Sequence, residues 1–310
     1  MQAKLHSKHH IRFYLFDHVC IGYLALIGIS LIFFHRSVDR WPTFVLLHAA
    51  GILVILFLIW LDQRCPQNRI LRIFRLFYPI ALMPLLWEEL EPLVPMFFGV
   101  RWATDVIARL DELIFGVHPT VWVQQLYHPW LNELMGYFYV AYYALFLIIP
   151  ISLYVKKKKG AVLAVLSVIM FTYLSNFFLF FVFPAAAPQH IPEINSLHTQ
   201  ELIGPFFSRF NREVQSSRGI VGAAFPSSHV AGTLVWVLLA LRYNRKLGRF
   251  LIPVAVGMPL ASVYLRLHHA LDPMVGLIWG LLCYVTALKL IQIRGEDPLR
   301  DPPDNGTPSL

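Results

Sequence analysis

Eight apolar stretches, most of them close to twenty residues long, constrain this chain more than any other feature. A transmembrane α-helix needs about 20 mainly apolar residues to cross a hydrocarbon layer roughly 30 Å thick. The chain is 14% charged, whereas soluble domains carry roughly 25% charged residues. The alternating segments of a membrane β-barrel are absent. We therefore predict an all-α fold, a polytopic membrane helical bundle of about eight spans (six to eight). The spans are expected near residues 15–34, 43–61, 73–90, 132–155, 161–183, 229–243, 250–268 and 273–291.

Lys and Arg residues gather at alternate ends of these spans. Of the 26 in the chain, 18 fall on one side: Lys4, Lys8, Arg12, Arg64, Arg69, Arg72, Arg75, Lys156, Lys157, Lys158, Lys159, Arg242, Arg245, Lys246, Arg249, Lys289, Arg294 and Arg300. Cytoplasmic loops of membrane proteins carry such an excess, so the N- and C-termini are expected to be cytoplasmic. The net charge of +8 then reflects topology, and no nucleic-acid partner is expected.

One integral membrane domain is expected over residues 1–294. Residues 295–310, rich in Pro, Asp and Gly, are expected to form a short disordered cytoplasmic tail. Two long segments between spans, 99–131 and 184–228, fall on the outer side. Apolar residues in the first recur every three or four positions, which predicts an interfacial amphipathic helix. Those residues are Trp102, Val106, Ile107, Leu110, Leu113 and Ile114.

Several conspicuous residues are expected to serve the fold rather than chemistry. The three cysteines, Cys20, Cys65 and Cys283, are too far apart to suggest a disulfide framework or a metal site. Polar residues in the early spans are expected to pack helices or to anchor them at the interface: Asp17, His18 and His48. An aromatic belt at the membrane surface is expected from Trp130, Tyr137 and Tyr142.

His229 begins the sixth predicted span and closes the run Phe225-Pro226-Ser227-Ser228-His229. Ser227 and Ser228 are favoured N-cap residues, and the free backbone N–H groups of a helix start bind phosphate. An ordinary capped helix with an interfacial histidine has the same pattern. The run alone therefore does not identify a site.

His268 lies at the outer end of the seventh predicted span, four residues before Asp272. At that distance the carboxylate can accept the proton of one ring nitrogen and leave the other free as a nucleophile. The residue four positions after His269 is Pro273, which has no carboxylate, so we expect His268 to be the nucleophile. His229 is then the expected acid for the leaving group at the same membrane face.

The run Pro226-Ser227-Ser228-His229, followed by Tyr264-Leu265-x-x-His268-x-x-x-Asp272, resembles two motifs of a known superfamily. These are the second and third motifs of the type 2 phosphatidic acid phosphatase and vanadium haloperoxidase superfamily. The resemblance covers residues 130–292 as a phosphatase-like catalytic core. It implies that His268 forms a phosphohistidine supported by Asp272, and that His229 protonates the leaving group. The implied reaction cleaves or transfers the phosphoryl group or phospho-headgroup of a lipid phosphoester or diphosphate. It would take place at the extracytoplasmic face, which in a bacterium is the outer face of the plasma membrane.

The basic residues of the phosphatase motifs are missing from this chain. Ser262 occupies the arginine position of the third motif, and the first motif is represented only by the stretch Pro184–His190. These departures resemble the inositol phosphorylceramide synthase branch and its bacterial relatives. The segment from Asp111 to Trp122 resembles the same bacterial group.

Other residues must therefore stabilise the negative charge of a phosphate. Arg266 lies one turn after Ser262, about 40° away on a helical wheel, and is the expected replacement for the missing arginine. The alternative for Arg266 is contact with lipid head groups. The remaining expected phosphate-binding residues are Ser227, Ser228, Arg218, Gln189 and His190. No metal or other cofactor is expected, because side chains and the helix start supply the positive charge.

The expected partners are a lipid phosphate substrate and the membrane lipids, and the sequence does not predict an oligomeric state. A second class of function fits the same pocket. A non-catalytic lipid-headgroup binding or transport protein would also tolerate the loss of Lys and Arg. Binding alone, however, does not require a nucleophile with its orienting acid. His229, His268 and Asp272 together therefore favour an enzyme.

Overall fold

A computed structural model describes residues 13–99, 101–218 and 220–299, without the side chains of Arg101 and of residues 215–218. Within these ranges the chain forms 13 α-helices and no β-strand. The helices are α1 Leu15–Phe33, α2 Trp41–Arg64, α3 Arg69–Glu88, α4 Leu90–Leu93, α5 Arg101–Phe115, α6 Pro119–Trp122, α7 Pro129–Val155, α8 Lys159–Val182, α9 Pro192–Asn195, α10 Phe207–Arg218, α11 Ser228–Tyr243, α12 Arg245–Tyr264 and α13 Leu271–Ile293. Short 3-10 helices lie at His35–Ser37, Val94–Met96, Val123–Leu126 and Pro188–His190.

Seven helices are long and apolar enough to cross a membrane: α1, α2, α3, α7, α8, α12 and α13. The helix at the sixth predicted span, α11, is apolar but has only 16 residues, against 27 in α7. At 1.5 Å per residue, α11 is about 24 Å long and α7 about 40 Å. The first turn of α11 is buried inside the bundle. The predicted polytopic all-α membrane bundle is confirmed.

The most buried of the long helices, α8, lies at the centre of the bundle. It packs against α1, α3, α7, α11 and α13, whereas α2 packs mainly on α1 and is the most exposed of the long helices. Glycines allow α13 to approach α11 closely, because a Cβ atom at Gly280 would lie 2.8 Å from the carbonyl oxygen of Ala231. Small residues commonly permit such helix contacts in membranes.

The segments that carry the positive excess lie at one end of the bundle. Lys158 Nζ donates to the carbonyl of Tyr243 at 2.9 Å, which joins the α7–α8 link to the end of α11. Arg294, just after α13, donates to the carbonyl of Phe13, just before α1, also at 2.9 Å. This arrangement is the one that the charge pattern requires. That this end faces the cytoplasm stays a prediction.

Asp297 lies within the segment predicted as a tail. Its carboxylate is fully buried and accepts hydrogen bonds from Arg242 (2.8 Å) and from the backbone N–H of Leu299 (3.1 Å). Asp297 is therefore held against the end of α11, because its buried carboxylate is paired with Arg242. Residues 300–310 lie outside the described part of the chain.

The amphipathic helix predicted within 99–131 corresponds to α5. An apolar stripe on α5 is exposed: Trp102, Val106, Leu110, Leu113 and Ile114. Ile107, which was expected on that stripe, is instead buried on the opposite face together with Ala103, Thr104 and Asp111. The helix thus has one face toward the protein and one apolar face toward its surroundings, as expected of a helix at a membrane interface.

Candidate active site

The start of α11 forms one wall of the site. Ser227 is the N-cap residue, and its Oγ accepts a hydrogen bond from the backbone N–H of Val230 at 3.4 Å. Ser227 and Ser228 are buried, and His229 is only 9% exposed. The sequence pattern of a capped helix start therefore occurs here in the interior of the bundle.

The turn between α12 and α13 carries the second histidine. α12 ends at Tyr264, and Arg266 then adopts a φ of 64°, in the left-handed region that few non-glycine residues occupy. The backbone N–H of His268 donates to the carbonyl of Ser262 at 3.1 Å. This turn places Nδ1 of His268 3.2 Å from Oδ2 of Asp272, in the first turn of α13.

His268 has a polar contact at each ring nitrogen. Nδ1 faces the carboxyl group of Asp272, and Nε2 lies 3.1 Å from Oγ of Ser227. In the tautomer in which Nδ1 donates to Asp272 and the serine hydroxyl donates to Nε2, Nε2 carries the lone pair that a nucleophile requires.

Aromatic rings hold His229 in place. Its ring stacks on Tyr139 with 5.0 Å between centroids, and lies 4.7 Å from Tyr142 and 5.8 Å from Trp87. The centroid of the His268 ring is 6.1 Å away. The rings of the two histidines are therefore direct neighbours.

A cavity of about 420 Å³ opens beside the two histidines. Its polar part is lined by Gln189, His190, Ser228, His229 and His268, with Glu88 as an acidic residue. Its aromatic part is lined by Trp87, Tyr139, Tyr142, Tyr143, Phe146, Tyr173 and Phe177. Among the described side chains that line it there is no Lys or Arg.

A family model described as the PAP2 superfamily matches residues 105–286, more than half of the chain. The chain belongs to the PAP2 superfamily. Members of the PAP2 superfamily are generally phosphatases or phosphotransferases. Neither the curated proteins nor the solved structures include a match to this chain. Both histidines and Asp272 lie within the region that matches the PAP2 superfamily.

The structure brings seven of the nine predicted site residues together. They are His268, Asp272 and His229 with Ser227, Ser228, Gln189 and His190. Gln189 and His190 reach the cavity from the 3-10 helix Pro188–His190, where the side-chain nitrogens Nε2 of the two residues lie 3.3 Å apart. The side chain of Arg218, at the end of α10, lies outside the described residues.

The structure does not bring Arg266 to the cavity. Its guanidinium donates to the backbone carbonyl of Gln200, in the segment between α9 and α10. The helical-wheel argument assumed that the helix continues past residue 266. Because α12 ends at Tyr264, the left-handed turn at Arg266 directs its side chain toward the outer segment instead.

Burial sets the charge of the site histidines. It lowers the pKa of His268 to about 3, so the ring is neutral at pH 7. It also lowers the pKa of His190, which is therefore a neutral hydrogen-bonding group near pH 7. Burial opposes protonation of His269 as well. The nearby carboxylates of Asp111 and Asp272 outweigh it and raise the pKa of His269.

Asp111 is a residue of the site region that sequence reasoning missed. His269 was expected to have no acid, but its Nδ1 lies 3.8 Å from Oδ2 of Asp111. The pair is separated by more than 150 residues, so no local spacing connects it. A partial signal was present, because Asp111 follows Ala103 and Ile107 at four-residue intervals and so shares their helix face.

Tyr142 also differs from its expected place. It was assigned to an aromatic belt, but only 6% of its surface is exposed, and its ring packs against His229. Trp130 and Tyr137 are exposed near the start of α7, as a belt requires. The hydropathy of α7 does not distinguish the two positions, because tyrosine suits both an interface and a polar interior.

Proposed function

We propose that this protein is a membrane enzyme that cleaves or transfers the phosphoryl group or phospho-headgroup of a lipid phosphoester or diphosphate. The reaction takes place at the extracytoplasmic face and proceeds through a phosphohistidine on His268. The observation that carries the proposal is the orientation of His268. Nδ1 lies 3.2 Å from Oδ2 of Asp272, which orients the ring, and His268 lines the same cavity as His229.

In the first half of the proposed reaction, Nε2 of His268 attacks phosphorus in line with the leaving oxygen. A P–N bond forms while the P–O bond to the leaving group breaks. Asp272 holds the ring through Nδ1 and stabilises the positive charge that develops on it. His229, which takes up a proton when the anionic substrate binds, gives that proton to the departing oxygen.

In the second half, His229 accepts a proton from water or from an alcohol. The oxygen of that molecule attacks phosphorus, and the P–N bond breaks to restore His268. The ring centroids of the two histidines lie 6.1 Å apart and both rings line the cavity, so both can reach one phosphoryl group bound there. Removal of the phosphoryl group returns both residues to their starting protonation states.

The start of α11 and neutral hydrogen-bond donors stabilise the negative charge of the phosphate. The free N–H groups of the first turn and the Ser228 hydroxyl lie beside His229, and Gln189 adds an amide. Arg218 stays a candidate, because it follows the cavity-lining Val214 by one turn of α10. Arg266 is a candidate only if it leaves the carbonyl of Gln200.

The aromatic part of the cavity supports a lipid substrate. It extends along α7 from Tyr139 to Phe146, a distance of about 10 Å along the helix. Apolar pockets with few polar groups bind the apolar portion of a ligand and orient its polar end. The polar end in this cavity is the one that contains the histidines.

Labelling with radioactive phosphate tests the proposed intermediate. Purified protein in detergent is mixed with lipids that carry labelled phosphate as a monoester, a diester or a diphosphate, and is quenched in alkali. Wild-type protein should retain acid-labile label, and His268→Ala should not. The matched control is His128→Ala, an exposed histidine outside the cavity. Label and product release that persist in His268→Ala contradict the proposal. Lipid binding with no turnover in wild-type protein supports a binding or transport protein instead.

The acceptor decides between hydrolysis and transfer. Water gives a phosphatase, whereas an alcohol gives a phosphotransferase, as in the inositol phosphorylceramide synthase branch that the sequence resembles. Products are compared with and without an added polyol or ceramide-like alcohol. A new phosphodiester that forms at the expense of free phosphate supports transfer, and an unchanged product pattern supports hydrolysis.

Labelling of cysteines in intact cells tests the membrane side. Ser196→Cys places a thiol on an exposed residue at the site end of the bundle. Native Cys65 is exposed at the end of α2, where the basic residues gather, and serves as the control. An impermeant thiol reagent should label the introduced cysteine and leave Cys65 unmodified. The reverse pattern contradicts an extracytoplasmic site.

A further inference from the structure

Asp111, on the buried face of α5, supports a turn that is distant in sequence. Its side chain is 1% exposed, and each carboxylate oxygen accepts a backbone hydrogen bond. Oδ2 accepts from the N–H of Ala270 at 3.1 Å, and Oδ1 accepts from the N–H of Leu271 at 3.0 Å. Ala270 is the N-cap residue of α13 and has no side chain that can cap it. Asp111 therefore caps the helix that carries Asp272.

The turn held by Asp111 also controls the orientation of Asp272. The backbone N–H of His269 donates to Oδ2 of Asp272 at 2.9 Å. The same oxygen accepts from Nδ1 of His268 at 3.2 Å. The direction of the His268 ring is consequently linked, through one oxygen atom, to the backbone that Asp111 holds.

The side chain of His269 adds a charged contact to this arrangement. It is 1% exposed and lies with Nδ1 3.8 Å from Asp111, while its backbone N–H contacts Asp272. The titratable groups that face it are Asp111 from α5, Asp272 from α13 and His268 from the turn itself. A protonated His269 between two carboxylates offsets the cost of burying them, because buried charges need partners.

A second residue on the same face of α5 supports another wall of the cavity. Thr104 lies two turns before Asp111, and its Oγ1 accepts from the backbone N–H of Ala186 at 2.9 Å. Ala186 belongs to the segment that leads to Gln189 and His190. α5 thus contacts both the turn of the nucleophile and the segment of two predicted phosphate ligands.

We propose that Asp111 is a positioning residue for phosphoryl transfer, which sets the geometry of the His268–Asp272 pair by holding residues 269–271. The proposal rests on the proposed function. A residue that only capped α13 would affect stability alone, whereas Asp111 should also affect the rate of phosphoryl transfer. A displaced turn rotates Asp272 away from Nδ1, and an imidazole that loses its orienting group is a poorer nucleophile.

Asp111→Asn removes the charge with little change in size. An amide has one acceptor oxygen, so one of the two N–H groups at 270 and 271 loses its partner, and His269 loses a carboxylate. Residues that orient the ligands of a metal site typically contribute about 10- to 100-fold in affinity or activity, and Asp111 orients a catalytic carboxylate in the same indirect way. We expect phosphohistidine formation to slow by about 10- to 100-fold, with lipid binding close to that of wild-type protein.

The pH dependence separates positioning from a general loss of folded protein. Asp111 contributes to the raised pKa of His269, so its loss lowers that pKa toward the ordinary value. The alkaline limb of the rate profile should therefore move to lower pH in Asp111→Asn. A loss of folded protein would reduce the amplitude of the profile and leave the limb in place.

Asp105→Asn is the matched control, because Asp105 is exposed on the same helix. It should label at the wild-type rate. Asp111→Glu keeps the charge but displaces the carboxylate by one methylene, so it should slow labelling and leave the alkaline limb unmoved. If Asp111→Asn does not yield folded protein, Asp111→Glu decides, and a wild-type rate in that variant overturns the proposal. Equal labelling in wild-type protein and folded Asp111→Asn also overturns it. Absence of label in wild-type protein contradicts the proposed function itself.

Discussion

The Oγ atom of Ser227 lies 3.1 Å from Nε2 of His268 and also caps the first turn of α11. One hydroxyl group therefore joins the helix start that carries His229 to the turn that carries the nucleophile. The backbone repeats this link, because the N–H of Ser227 donates to the carbonyl of Asp272 at 3.1 Å. The start of α11 and the turn before α13 are therefore joined directly, by one side-chain and one backbone hydrogen bond.

Ser227→Ala is expected to lower kcat, because the His268 ring loses the contact that orients it against the start of α11. One such bond contributes about 1 kcal/mol, or roughly a fivefold to tenfold change in rate. Loss of the N-cap should lower the free energy of unfolding by about 1 kcal/mol as well. Ser228 has no hydrogen bond with His268 but lines the cavity, so Ser228→Ala should raise KM more than it lowers kcat. Kinetics on one lipid phosphate measure both effects, and identical profiles for the two variants contradict the separate roles.

The spans and the catalytic pair could be predicted because both depend on local sequence. Hydropathy identifies the long helices, and Ser227 before an apolar run identifies the start of α11. The contact between His268 and Asp272 was expected from one continuous helix. It forms instead because α13 begins at Leu271 and the turn before it brings His268 back toward Asp272. The four-residue spacing gave the right partner, although the local structure differs.

Arg266 and Asp111 make contacts that could not be predicted from the local sequence. The side chain of Arg266 was expected at the cavity on the assumption that α12 continues through residue 266. The helix ends two residues earlier, at Tyr264, and the left-handed turn at Arg266 directs the side chain elsewhere. Asp111 meets His269 only after α5 has packed against the bundle, and no sequence spacing encodes that contact. Helix ends and contacts between distant segments are decided by tertiary packing, which periodicity does not report.

Gly276→Ala is expected to disturb the site from the face of α13 that packs against the start of α11. A Cβ atom at Gly276 would lie 2.7 Å from the carbonyl oxygen of Ser227, which accepts the first hydrogen bond of α11. The two helices must separate to accommodate it, and overpacking of this kind typically costs about 1–3 kcal/mol. Both kcat and the midpoint of thermal unfolding should fall.

Gly22→Ala provides the control for that measurement. A Cβ atom at Gly22, in α1, would have nothing within 4 Å. Alanine favours a helix over glycine by up to about 1 kcal/mol, so this variant should unfold at or above the wild-type midpoint. If Gly276→Ala behaves like Gly22→Ala, the close approach of α13 to Ser227 does not constrain the site.

Asp17 and Arg75 form a buried ion pair between α1 and α3, and its disruption should destabilise the fold. Arg75 donates to Oδ2 of Asp17, and the Tyr78 hydroxyl donates to Oδ1 at 2.7 Å. Removal of one partner leaves the other charge buried, which typically costs about 3–5 kcal/mol. Asp17→Asn alone should therefore lower the unfolding midpoint more than the double variant Asp17→Asn with Arg75→Met. Additive losses in the double variant would contradict a direct pair.

The low pKa of His268 predicts how stability depends on pH. Burial lowers this pKa to about 3, whereas an unfolded histidine titrates near 6.5. Between these values the unfolded chain binds a proton at His268 that the folded chain does not bind. The free energy of unfolding should therefore fall as pH decreases from about 6.5 toward 3, by up to about 1.4 kcal/mol per pH unit from this group. The contribution of His268 is fully present above pH 6.5.

His268→Gln removes that titration, so its unfolding midpoint should decrease less steeply between pH 6.5 and pH 4 than the wild-type midpoint. His269 acts in the opposite direction, because its pKa is raised. Its stabilising contribution is present below pH 6.5 and is lost as pH rises through the raised value. His128→Gln, at an exposed residue, should retain the wild-type slope. Thermal unfolding in detergent at four or five pH values gives the slope of the midpoint against pH for wild-type protein, His268→Gln and His128→Gln. Parallel slopes for wild-type protein and His268→Gln would show that His268 is not held neutral in the folded state.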